Sequence, residues 1–309
     1  MIKLPERWTR FFTEPLLPPT AFSISRGQVC GVRRAGKEKR VGAHVIRPLP
    51  AGALVPAFDR PNVADGAAVD AAIKDAARRL GAPAGAVSLL IPETCVKTAI
   101  LTFEALPSSP TEREAVLRWR LAKTLPLKIS DLRLSFDVVP SNGGARAFCV
   151  LALERIVADY EQAFAKAGLR VRQIGLPTPH LLGLIPRTGP ADILVAGIED
   201  DHLTLFAVCS GAPFLFRVKT LVLGAAANAG SFWVQVAAEV ATTIHFLEDR
   251  EKKRLEAVWI RSAVGATPED LAAIEARAGC PVRTLAFSAP AVAGPKEQAI
   301  LAPLVGQVS

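Results

Sequence analysis

Several things that would announce a chemistry are missing from the 309 residues. The five cysteines (Cys30, Cys95, Cys149, Cys209 and Cys280) are an odd number, far apart and mostly set in apolar runs. That excludes a disulfide framework and a thiolate metal cage, and it marks them as small buried hydrophobes. The four histidines, His44, His180, His202 and His245, stand without cysteines or carboxylates at ligand spacing, so no histidine metal centre is expected. No G-x-x-x-x-G-K-[ST] loop, no G-x-G-x-x-G, no G-x-S-x-G elbow and no H-E-x-x-H is present, so motifs alone give no enzyme.

No run of about 20 apolar residues occurs; the stretch opening at Ile193, for one, is broken by Glu199-Asp200-Asp201. A membrane-spanning helix is therefore not expected. Residues 1–10 carry Lys3, Glu6, Arg7 and Arg10 with no uninterrupted apolar stretch before a small-residue cleavage site, so no signal peptide is read and a cytoplasmic protein is expected. Lys and Arg exceed Asp and Glu by 37 to 29, a formal +8, which suits weak attraction to anions. The bases are scattered and aromatic residues make up only 6%, so nucleic acid is not an expected partner.

What the sequence does have is core. Half of it is apolar and 21% is charged, at a length that calls for two subdomain-scale cores or one fold of two lobes. Residues 1–20 are Pro-rich and read as an irregular arm, with Trp8, Phe11 and Phe12 able to pack on the body. Residues 21–25 alternate, Arg26-Gly27 offers a turn and 29–32 resume the alternation, which predicts a hairpin; a third strand follows near 41–46. Val69, Ile73, Ala76 and Leu80 share a helical face over 65–80, with Gly81 as the stop. Strands are expected at 87–91 and 96–103. Ser109-Pro110-Thr111-Glu112 then supplies a cap, a first-turn proline and an acid, and starts a helix that Pro126 closes. Strands at 132–139 and 147–152 flank the turn 141–144; a helix with Val157, Tyr160 and Phe164 on one face runs to Gly168, and a strand at 171–174 ends this half.

After Thr188-Gly189-Pro190 the pattern restarts: strands at 193–198, 203–209 and 214–218, with a turn at Ser210-Gly211. A helix carrying Trp233, Val236, Val240, Ile244 and Leu247 follows, then a strand at 257–260, a helix at 268–278, a strand at 282–286 and an apolar segment near 298–305. The repetition of one opening in each half indicates a duplicated α/β fold. Glu199-Asp200-Asp201 falls where two strands turn, and reads as a solvated turn before it reads as a metal site.

Three segments in sequence carry a family resemblance. The run 87–92 (Val-Ser-Leu-Leu-Ile-Pro) is followed by strand 96–103, Leu106-Pro107, the helix 112–123 and Thr124-Leu125-Pro126-Leu127, and then by 147–169 with Tyr160 and Ala167-Gly168-Leu169. This progression resembles the PilM family, the actin-like cytoplasmic proteins of type IV pilus assembly, from about residue 21 to the end.

The resemblance implies a two-lobed, actin-like (ribonuclease H-like) duplicated α/β fold. Residues 21–190 would form lobe one, with an inserted 1C-type subdomain at about 85–145, and 191–309 would form lobe two. It also locates three nucleotide-binding segments: Ser23, Ser25 and Gly27 in the first hairpin, Ala196 and Gly197 in the second, and Ser262 and Gly265 in the adenosine loop. The Asp-Ile-Gly type turn and downstream Lys of active members read Ser23-Ile24-Ser25 and Cys30 here, and Ala196 stands where an Asp is usual. A carboxylate for Mg²⁺ and a glycine for close phosphate approach are thereby missing, so a non-catalytic adaptor with no cofactor is expected; the alternative is an actin-like ATPase or kinase using ATP with Mg²⁺. The implied role is to bind the cytoplasmic tail of a PilN-like membrane protein, alongside other pilus assembly proteins, peripheral to the inner membrane. The cleft between the inserted subdomain and lobe one is the expected place. A cytoplasmic component of a type II secretion system is a further alternative. The basic helix with Arg113, Arg118, Trp119, Arg120 and Lys123 is a second candidate for partner contact.

Overall fold

The computed structural model describes residues 18–35, 40–126, 128–141, 143–186, 191–221, 229–285, 287, 292 and 294–308. Of the arm expected over 1–20, residues 1–17, with Trp8, Phe11 and Phe12, lie outside these, as does the 188–190 boundary.

Lobe one is built on β1 (Thr20–Ser25), β2 (Gln28–Ala35) and β3 (Arg40–Pro48), an antiparallel meander. Helix α1 (Gly66–Leu80) follows: the Asp65 carboxylate accepts from the Ala68 N–H at its start, and Gly81, at φ +60°, ends it in a left-handed conformation that suits a residue without Cβ. β4 (Gly85–Leu90) then runs parallel to β1.

An insertion comes next. β5 (Lys97–Phe103), α2 (Pro110–Thr124), β6 (Leu132–Ser141) and β7 (Gly144–Leu153) form a three-stranded antiparallel sheet, order β5-β7-β6, covered on one face by α2. Leu117 and Leu121 of α2 pack on Leu101, Cys149 and Leu151. The chain returns through α3 (Glu154–Ala165) to β8 (Leu169–Gly175), which completes the first sheet in the order β3-β2-β1-β4-β8. The inserted sheet thus occupies Lys97 to Leu153, later than the expected 85–145, because Gly85–Leu90 pairs with β1 and β8 inside lobe one.

A short helix, α4 (Pro177–His180), leads to the second lobe. There β9 (Ile193–Ile198), β10 (His202–Cys209) and β11 (Ala212–Thr220) repeat the meander, then α5 (Ala229–Asp249), β12 (Ala257–Ser262), α6 (Pro268–Ala278) and β13 (Val282–Thr284) follow. The sheet order is β11-β10-β9-β12-β13, strand for strand the topology of lobe one. Ser210 (φ +51°) and Gly211 (φ +77°) make the two-residue turn between β10 and β11, whose double left-handed backbone matches strand twist.

One face of each sheet is covered separately, by α1 and α3 in lobe one and by α5 and α6 in lobe two. The opposite faces share one helix, α7 (Pro295–Val308). Leu301, Leu304 and Val305 pack on Ala21, Cys30, Val32 and Leu90 of lobe one, while Ala302 packs with Val195 and Trp259 of lobe two. The segment expected to belong to lobe two therefore completes both cores, a placement its apolar residues could not indicate alone.

Glycines allow this helix to lie against the inter-lobe connection. A Cβ on Gly306 would stand 2.0 Å from the His180 carbonyl oxygen, and one on Gly183 would stand 2.6 Å from the Gly306 carbonyl oxygen. Gly306→Ala is expected to destabilise the fold by about 1–3 kcal/mol or more through overpacking. Gly27→Ala, where a Cβ meets nothing within 4 Å, should stay within about 0.5 kcal/mol. Urea unfolding of both variants checks the contrast.

Candidate functional site

Two features lie where the lobes and the insertion meet. The first is a buried polar cluster between the lobes. Glu93, in the 3-10 turn Glu93–Cys95 that follows β4, is 2% exposed. Its Oε1 accepts the Thr178 N–H of α4 at 2.7 Å, and its Oε2 lies 3.4 Å from His202 Nε2, at the start of β10 in lobe two. His202 Nδ1 is 2.5 Å from Asp201 Oδ1. Burial pushes the His202 imidazole down, but the Asp201 and Glu93 carboxylates outweigh that and hold it up at about 10, so the ring is doubly protonated and donates to both. Burial likewise pushes Glu93 up, and its bonds to His202 and Thr178 win, keeping it below its ordinary value.

Beside this cluster Arg261 of β12 pairs with Glu199 and donates to the carbonyls of Ala299 (2.6 Å) and Ile300 (3.2 Å) on α7. The acidic turn is therefore not simply solvated: two of its three carboxylates hold cations of lobe two. His202 also has carboxylate partners after all. The sequence reading missed them because Glu93 lies 109 positions away. The available signal was a charged residue placed directly against apolar strand runs, at Glu93 after 87–92 and at Arg261 after 257–260.

The residues implied for nucleotide binding fall around this cluster. Ser23 hydrogen-bonds the Cys30 thiol, which burial pushes up to about 12, and Ser25 Oγ donates to the Gln28 carbonyl at 3.4 Å. Arg26, in the β1–β2 turn with Gly27, is close enough to favour ionised Asp201 in the β9–β10 turn, so the two hairpin turns face each other. Ala196 is fully buried in β9, and a Cβ on Gly197 would stand 2.4 Å from Thr178 Oγ1. Ser262 Oγ donates to the Gly265 carbonyl at 3.0 Å, closing its own loop. The Glu199 and Asp201 carboxylates of the second turn are each paired, and Thr178 fills the space beside Gly197.

The second feature is a groove of about 870 Å³ between the inserted sheet and lobe one. It is bordered by residues 133–137 of β6, 172–175 of β8 and Leu176 just after it, together with Val157 and Glu161 of α3 and Pro179 and His180 of α4. Both β6 and β8 are the last strands of their sheets. Such runs of five and four consecutive strand residues border a cavity along the strand edge, since one face would offer alternate residues alone. The groove thus runs between two strand edges with no strand beside them among the described residues. Its floor includes Phe148, which stacks on Phe206 at 5.6 Å and lies 5.4 Å from Phe216 of lobe two. Arg146 reaches the Pro213 carbonyl at 3.2 Å nearby.

The basic helix α2 lies on the other face of the inserted sheet. Arg118 pairs with Glu114 and reaches the Ile129 and Leu132 carbonyls, and Arg113 holds those of Pro107 and Ser108. Trp119 is 57% exposed under the Lys123 ammonium, and Arg120 is exposed. None of the five borders the groove.

Removing one member of a buried ion pair strands the other, so His202→Ala is expected to cost about 3–5 kcal/mol near pH 6. Because the His202 pKa is raised from 6.5, its contribution is complete below pH 6.5 and is lost as pH rises towards about 10. Glu93, lowered from 4.5, contributes above pH 4.5 and loses that as pH falls further. Denaturant midpoints of wild type and variant should therefore converge from pH 6.5 to pH 10.

No protein-family model and no curated protein matches the sequence. Among solved structures the chain is similar to a PilM–PilN type IV pilus biogenesis complex, with a TM-score of 0.77 and 16% identity over 94% of this chain and 97% of that one. It is also similar to the cytoplasmic domain of EpsL, an inner membrane component of the type II secretion system of Vibrio cholerae (TM-score 0.52, 11% identity, 93% and 94% covered). A third is a Bacteroides thetaiotaomicron protein described as having an actin-like ATPase fold (TM-score 0.51, 8% identity, 91% and 94% covered). At these identities the likeness is one of fold, and the chain has the two-lobed actin-like fold. Among the described residues no helix is long and apolar enough to cross a membrane.

Proposed function

We propose that this chain is a non-catalytic, actin-like adaptor of type IV pilus assembly. It holds an extended segment from the cytoplasmic tail of a PilN-like membrane protein in the groove between its inserted sheet and lobe one. The observation that carries this reading is the pair of strand edges, β6 and β8, that border the groove along consecutive residues. A peptide laid there gains main-chain hydrogen bonds from an edge, while the groove walls select its side chains. The fold likeness to a PilM–PilN complex supports it. The groove also lies at the place that the sequence resemblance implied for the partner.

The same reading has the inter-lobe cleft bind no nucleotide. Glu93–His202 and Arg261, with its α7 carbonyls, bridge the elements that a nucleotide's phosphates would otherwise have to bridge. A bound polyanion would have to displace Glu199 and Asp201 from their cations, and phosphoryl transfer depends on positioning and positive charge that this cluster spends on itself. In this proposal the chain reaches the inner membrane through its partner. The EpsL likeness keeps a type II secretion adaptor as the second reading, with a lower TM-score, and the groove would serve it in the same way.

Thermal melting of the full chain with and without ligands tests both halves. A synthetic PilN-like tail peptide at a hundred times its Kd should stabilise by about 2.7 kcal/mol, and Mg-ATP should produce no saturable shift. Ser135→Trp, at an exposed groove residue, should abolish the peptide shift while leaving the peptide-free melting temperature within about 2 °C. A saturable shift with Mg-ATP would restore the ATPase reading, and an unchanged peptide shift in Ser135→Trp would remove the groove from it.

A further inference from the structure

The charged groups of the groove are not all paired with one another. Along β6 residues two apart share a face, so Arg133, Ser135 and Asp137 stand in line on the face of the inserted sheet away from α2, opposite Ala152, Val150 and Phe148 of β7. The alternate residues, Leu134, Phe136 and Val138, pack into the α2 core.

Arg133 is committed. Its guanidinium is shared between Glu154 and Glu161, the latter at 2.6 Å. Asp137 is not: its carboxylate accepts only its neighbour's N–H, from Val138 at 2.7 Å, and enters no ion pair among the described residues. Arg146, two places along β7 from Phe148, is turned away, over the Phe214 ring at 4.7 Å and onto the Pro213 carbonyl. Arg172 borders the groove from β8. Of the two carboxylates that border the groove, Glu161 is thus paired with Arg133 and Asp137 enters no ion pair among the described residues.

A half-buried carboxylate with no cation is unfavourable for the fold. Burial pushes Asp137 up to about 6, the Val138 N–H offsetting it only in part. Such a group, placed on a docking groove, is a candidate for a partner that supplies the missing charge.

We propose that Asp137 reads a lysine or arginine side chain of the extended segment that docks in the groove, and thereby fixes that segment's register. The inference rests on the groove reading above and goes beyond it by naming the chemistry of one partner position. A strand lying beside β6 places one side chain opposite Asp137, and cross-strand pairs of opposite charge are favourable where like charges are not. A slip of one residue turns that side chain to the other face, so a single charged contact discriminates between registers.

The test uses end-blocked ten-residue peptides of alternating Val and Thr in which a Lys, Gln or Glu is scanned through every position, with affinity for the full chain read by fluorescence competition. Wild type should prefer Lys over Gln by about tenfold at one position and disfavour Glu there. Asp137→Asn should bring Lys and Gln within about twofold at that position without weakening the Gln peptide, and Asp137→Lys should reverse the preference to Glu. A reversal is not produced by a merely structural role. A Lys preference unchanged in Asp137→Asn, or none in wild type, overturns the Asp137 assignment while the groove stands. If neither these peptides nor the PilN-like tail peptide binds wild type, the groove reading fails and this inference with it.

Discussion

Two charges buried at the meeting of the lobes organise this molecule. Glu93 leaves lobe one at the end of β4, His202 enters lobe two at the start of β10, and each is nearly inaccessible to water. Neither could be buried alone, because an isolated ionised group loses far more solvation than a protein interior returns. They are tolerated because each has a second partner, the Thr178 N–H for Glu93 and Asp201 for His202. Such an arrangement contributes less to net stability than apolar packing of equal volume. It does make one relative position of the lobes specific, since displacement would strand both charges. It is also the place that the two hairpin turns face.

The clasp and the groove are not independent. Helix α4 serves both: Thr178 holds Glu93 and fills the space beside Gly197, while Pro179 and His180, the next two residues, border the groove. Phe148 serves both as well, flooring the groove from β7, stacking on Phe206 and meeting Phe216 of lobe two at a tilt. The inserted sheet is therefore held from three sides, by its own α2, by α3 of lobe one and by β11 of lobe two. A groove bounded by elements fixed in this way is largely pre-formed, which lowers the ordering cost of binding an extended segment.

Much of the fold was legible one segment at a time. The cap at Ser109, the stop glycine Gly81 and the turn Ser210-Gly211 all act within a few residues, and the structure places them as read. The duplicated opening of the two halves foretold two sheets of one topology. The sites were legible only in part. The resemblance pointed to the two hairpins and the loop after β12, but those positions did not reveal that Glu93, Thr178 and Arg261 lie beside them. The basic helix α2 drew attention by its charge, yet its arginines mostly hold each other's neighbourhood together, Arg118 with Glu114 and two carbonyls, Arg113 with two more. A count of bases along a helix does not say which ones are already satisfied.

What the sequence by itself determined is the set of elements, their order and their repetition, because hydrophobic period, capping and turn chemistry are properties of neighbouring residues. Only the tertiary structure decided that Glu93 meets His202 across 109 positions, that α7 completes both cores and that β6 and β8 come to border one groove. Those outcomes depend on which surfaces remain uncovered after the sheets have formed. That is a matter of packing two lobes and an insertion into one volume, and no local pattern in the chain encodes it.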